Sequence, residues 1–195
     1  MAIDFVIMPL SRYIAGDFVT PAMELAWSAG VPYAVIRPDG TTTIPPHTPF
    51  GGPDAPARRA RFVDMVLEDL RAIPAIASTP WDERSDAAPA FHRVDASAYA
   101  ALLEEASSAR KRGLFGLLGT TPPAEHLTTG LFVPHRVETT FVMESPIKQR
   151  VGSVPRALEE LAARTWSPLA SSAVATLRAA LEDAARLRLP MIVDQ

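Results

Sequence analysis

Apolar residues recur along this chain in two periods, and each change of period marks an element. Ile3 to Met8 is a short β-branched and aromatic run closed by Pro9, which predicts a buried strand. Thr20 followed by Pro21 is a helix-start signature, and Gly30 suits its end. Between them Met23, Ala26 and Trp27 form one apolar face. Tyr33 to Ile36, then Pro38-Asp39-Gly40, then Thr41 to Ile44 predicts a β-hairpin, because Asp-Gly supplies the positive φ values a tight turn needs. Phe62, Val63, Val66, Leu67 and Leu70 fall at helical spacing, with Asp54 as the expected N-cap.

From Ile73 the pattern dissolves into prolines and small polar residues, so 73–94 reads as a long loop pinned to the body by Trp81. Asp95 or Ser97 opens a helix through Tyr99, Leu102, Leu103 and Ala106, ending near the basic cluster Arg110-Lys111-Arg112. Residues 113–129 read as a second long loop. Its glycine-broken apolar segment, Leu114 to Gly119, suits a mobile loop or a docking patch. Leu131 to Val133 and Thr139 to Met143 are strand candidates on either side of Pro134-His135-Arg136, a second expected hairpin. Ser153 with Pro155 and Ser167 with Pro168 start two helices that meet at Thr165-Trp166-Ser167. Met191 to Val193 closes the chain as a strand, expected beside Ile3 to Met8.

These elements predict an α+β fold in one globular domain spanning 1–195. Its small mixed or antiparallel sheet is built from the N-terminal strand, two hairpins and the short C-terminal strand, and is packed by about five helices.

Composition narrows the class further. The 195 residues are 48% hydrophobic and 21% charged, enough to bury a core without staples. There is no cysteine, so thiolate catalysis, iron–sulfur ligation and disulfides are excluded and a cytoplasmic home is expected. A net charge of −3 argues against broad nucleic-acid binding. No basic leader and no apolar run of membrane-spanning length is visible. The alanine, arginine and proline bias fits a GC-rich bacterial coding sequence. Proline is the outlier, 19 residues against roughly half that in an average chain.

Candidate chemistry is sparse. His47, His92, His126 and His135 show no paired ligand spacing, no nucleophile elbow surrounds any serine, and no glycine-rich phosphate loop is present. Adjacent carboxylates such as Glu104-Glu105 and Glu182-Asp183 point about 100° apart on a helix, a poor acid/base pair. No catalytic residue, metal ligand or cofactor is therefore assigned.

One stretch breaks a local rule. Five prolines between Pro45 and Pro56 lead into Arg58, Arg59 and Arg61, which lie in the first turns of a helix whose dipole disfavours positive charge. Gly51, Gly52, Arg58, Arg59 and Arg61 make the one group able to grip a phosphate or carboxylate, with His47 as the nearest proton-transfer group. Alternatively these arginines pair with Asp54, Asp64 or distant acids while the loop packs Phe50 onto the core. Arg12 and Asp17 form a second polar cluster, read as an intraloop ion pair. The leading expectation is a non-enzymatic protein-binding module of inhibitor, immunity or adaptor type, presenting stiff proline loops to a protein partner. The rival is an enzyme or sensor for a small anionic ligand at the Gly51 to Arg61 junction.

Overall fold

The computed structural model describes residues 2–31, 33–37, 40–44, 47–78, 81–108, 110–111, 120–121 and 123–194. Pro45, Pro46, Pro38, Asp39, Arg112 and the Leu114 to Gly119 segment lie outside them. The expected class is the observed one, α+β, with six α-helices and a six-stranded mixed sheet among the described residues.

Strand β1 (Ala2–Ile7) is paired on both sides. It pairs antiparallel with β10 (Met191–Asp194) on one side, Phe5 opposite Val193, as expected from the two apolar runs. On its other side lies β4 (Ala90–Asp95), which corrects the end of the 73–94 loop. This edge strand alternates Phe91 and Arg93 with His92 and Val94, a mixed pattern that edge strands tolerate and sequence periodicity hides. Beyond β10 come β7 (Leu131–Val133), β9 (Gln149–Ser153) and β8 (Phe141–Met143), giving the order β4-β1-β10-β7-β9-β8.

The second hairpin is therefore β8 with β9, not β7 with β8, and β9 runs parallel to β7. Gly152 hides β9 from a propensity reading, yet the sheet needs it. A Cβ there would meet Thr129 Oγ1 at 2.6 Å and the His126 carbonyl at 3.0 Å. The first hairpin forms as expected, from β2 (Tyr33–Arg37) and β3 (Gly40–Ile44), but stands apart as its own two-stranded sheet. The helix before the basic cluster ends at Ser107, and Arg110–Lys111 (β5) then pairs with Thr120–Thr121 (β6), a strand that cuts into the expected 113–129 loop. That loop's last residues hold a 3-10 turn at His126–Thr128.

Helices α4 (Ala96–Ser107), α5 (Val154–Ala162) and α6 (Ser171–Leu187) follow their apolar faces. Asp95 caps α4 and Ser153 caps α5, accepting from the Arg156 N–H at 3.4 Å. Helix α6 begins later than Ser167 suggests, with that hydroxyl closing the turn before it at Ala170 N. Ala173, Leu177, Ala180, Leu181 and Ala184 make its fully buried stripe, packed on β4 and β1. Burial of each leucine is worth about 1.5–3 kcal/mol.

On the sheet itself, Phe5 and Ile7 join the main core while the alternate Val6 and Met8 meet Phe18, Tyr13 and Phe91. Where a polar loop was expected, Leu10–Ala15 forms helix α1. It lacks a cap of its own. Glu83, 1% exposed, supplies one from 73 residues away, accepting the Leu10 N–H at 2.9 Å and the Ser11 N–H at 2.8 Å. The Trp81 indole donates to the same carboxylate, so the 81–89 segment is fastened to the top of β1.

Candidate functional site

The expected site centres on the loop before α3 (Ala55–Arg71). Its backbone crosses the end of α1 at van der Waals distance. Gly51 donates its N–H to the Gly16 carbonyl at 2.8 Å, and a Cβ on Gly51 would lie 2.3 Å from the Ala15 oxygen and from Arg58 Nη2. Gly16 (φ 66°) ends α1 in the left-handed region, and Gly52 (φ 85°) turns the loop toward α3. Phe50 stacks on Phe18 with centroids 5.7 Å apart and planes 7° apart, and Phe18 stacks in turn on Tyr13. The loop does pack Phe50 onto the body.

Arg58 and Arg59 both donate to protein acceptors. Arg58 Nη2 donates to the Ala15 carbonyl at 3.0 Å and to the Gly51 carbonyl. Arg59 donates to the Ser85 carbonyl at 2.6 Å and to Asp86 at 3.0 Å, with Asp17 3.7 Å away. Arg12 completes the arrangement. It reaches the Asp17 carbonyl at 2.6 Å and the Ala87 carbonyl at 3.0 Å, so it binds the Asp17 backbone while Arg59 takes the carboxylate. Burial lowers the Arg12 pKa from its ordinary value, with Arg59 adding to the effect and Asp17 and Asp86 opposing it. Three guanidinium groups thus bind together the end of α1, the proline loop and the 81–89 segment.

The remaining candidates lie elsewhere. Arg61 is exposed and makes no bond to the described residues. Asp64 pairs with Arg84 at 2.7 Å instead of with the early arginines, and Asp54 occupies the N-cap position of α3 without a side-chain cap bond. His47 (φ 60°) is exposed and lies against Trp27, ring centroids 5.3 Å apart.

The other histidines do not join it. His92 meets Asp183 at 2.9 Å, and Arg186 followed by His92 holds that carboxyl below its usual range. His126 is buried with Nδ1 accepting the Ser153 N–H at 3.0 Å and Nε2 facing the Glu138 carbonyl at 3.3 Å, which fixes the neutral Nε2–H tautomer. Among the described residues no three His, Cys, Asp or Glu side chains gather as a metal site, and no helix is long and apolar enough to cross a membrane.

The clamp carries an exposed apolar ridge. Helix α2 (Pro21–Ser28) is capped by Thr20, whose hydroxyl accepts the Met23 N–H at 3.3 Å. Met23 and Trp27 turn inward onto Val19 and Phe50, while Leu25 and Val31 are 71% and 54% exposed. Pro21 and Ala29 are exposed with them, and Glu24 is the one charge between Pro21 and Val31. The sequence signal for this ridge was Leu25 itself, off the apolar face defined by Met23 and Trp27.

Comparison of the chain with family models, curated proteins and solved structures returns no match.

Proposed function

We propose that this protein is a non-enzymatic protein-binding module of inhibitor, immunity or adaptor type whose contact element is α2, held rigid by the arginine-clamped loops. The supporting observation is the ridge itself. Leu25 stands in solvent on a helix whose opposite face is anchored by Met23 and Trp27, and Val31 is exposed just beyond its end. An exposed apolar ridge costs solubility, and an already ordered one loses little entropy on binding. The chemistry it fits is an apolar groove with a cation placed for Glu24. The lack of cysteine supports a reducing, cytoplasmic setting.

The rival anionic site at Gly51 to Arg61 has less support. An anion there competes with Ser85 and Asp86 for Arg59, and with two backbone carbonyls for Arg58.

The test is affinity capture from lysate of the native host with Leu25→Asp beside the parent. Leu25→Asp is expected to keep its Tm and to lose a stoichiometric partner whose contact maps, by cross-linking, to α2. Equal recovery by the two proteins, or no stoichiometric partner at all, overturns the reading.

A further inference from the structure

At the edge of the sheet where β7 ends and β10 begins, a cleft of about 620 Å³ opens between the 81–85 segment, Pro134-His135 and the last turn of α6. Two local costs meet there. Arg188 takes the left-handed position that terminates α6 (φ 54°, ψ 41°). The Leu189 N–H bonds back to Ala184 at 3.2 Å and the Arg188 N–H to Ala185 at 3.3 Å. Glycine is the usual residue at this point of such a termination, since a Cβ is disfavoured at positive φ. The Arg188 guanidinium makes no hydrogen bond or ion pair with the described residues.

The second cost is His135. Both its ring nitrogens are shut off from solvent without a hydrogen-bond partner, and the ring lies against Trp81 at 6.5 Å. Burial lowers its pKa from the ordinary value, with a weak contact to the Ala75 backbone opposing in part, so the ring lacks a well-formed acceptor. Trp81, Pro134, Leu187 and Leu189 give the cleft apolar walls, and Asp82, exposed on the rim, bonds the Arg84 N–H and no cation among the described residues.

We propose that this cleft binds a small monocarboxylate with an apolar body, its carboxylate forked on Arg188 and its body against the Trp81, Pro134 and Leu187 wall. A carboxylate seated there offers the His135 ring a stronger acceptor than the Ala75 backbone once the ring turns toward the cleft. Asp82 repels a second negative charge, which sets a monocarboxylate above a phosphate dianion. This site is separate from the α2 ridge and does not depend on it.

The experiment is NMR titration of the full chain with phenylacetate and isobutyrate, their neutral amides, and phenyl phosphate, following the Trp81 indole and His135 ring signals. The acids are expected to shift both signals and the amides neither. Arg188→Gly is expected to melt no lower than the parent, because it relieves the left-handed arginine, yet to weaken acid binding by at least about tenfold. Leu25→Asp should leave the titration unchanged. Silence at Trp81 and His135 up to the millimolar range, equal binding of acid and amide, or unchanged binding in Arg188→Gly overturns the proposal. Tighter binding of phenyl phosphate than of phenylacetate overturns the monocarboxylate assignment.

Discussion

Arg59 and Arg188 sit at opposite ends of their helices, and each reverses what its position suggests. Arg59 lies in the first turns of α3, where the dipole opposes it, yet it is half-buried and bound by Ser85, Asp86 and Asp17. Arg188 follows α6, where the dipole welcomes a cation, yet it holds a backbone conformation suited to glycine and has no partner among the described residues. A helix dipole is worth about 0.3–1 kcal/mol, less than the several charge-assisted bonds that long-range acceptors can supply. Helix position alone is thus a poor guide to which arginine is free.

If the clamp is structural and the cleft is not, substitutions should separate into those that cost stability and those that do not. The largest effect is expected from Glu83→Ala, which orphans the Leu10 and Ser11 N–H groups and the Trp81 indole and frees the segment shared by clamp and cleft. A loss of about 3 kcal/mol or more is expected in urea unfolding. Gly51→Ala should follow, at about 1–3 kcal/mol, because its Cβ collides with backbone at Ala15. A melt equal to the parent's would mean that the loop is not seated on α1.

Arg59→Ala is expected to cost about 1–3 kcal/mol, leaving Asp17 and the Ser85 carbonyl without their cation, whereas Arg61→Ala should stay within about 0.5 kcal/mol. Equal effects would dissolve the distinction between clamped and free arginines.

The smallest effect concerns pH. His135 has a folded pKa below its unfolded value, so the unfolded chain binds the extra proton. Its contribution is present above the unfolded pKa and is lost as pH falls through the window down to the folded one. His135→Gln should therefore flatten the fall in Tm on acidification from neutral pH, and an unchanged slope would show that the ring is not held neutral.

Much of the architecture is local and so was legible. Thr20-Pro21 and Ser153 mark helix starts through bonds made within four residues, and β1 and β10 declare themselves as unbroken apolar runs. Strands β4 and β9 were missed because His92, Arg93 and Gly152 are chosen by their neighbours Asp183, Asp4 and Thr129, not by strand propensity. Helix α1 was missed because its cap comes from Glu83. Within the candidate site the sequence marked Gly51 and Arg58 as unusual, and the structure puts them in direct contact. It carried no sign of Asp86 or Ser85 as partners of Arg59, nor of the cost at Arg188.

By itself the sequence determined the fold class, the five longer helices, the first and last strands and the absence of cysteine chemistry, since periodicity, caps and composition act within a few residues. Only the tertiary structure decided strand order and which arginines are bound. Those outcomes depend on contacts across tens of residues, where no local preference sets the partner.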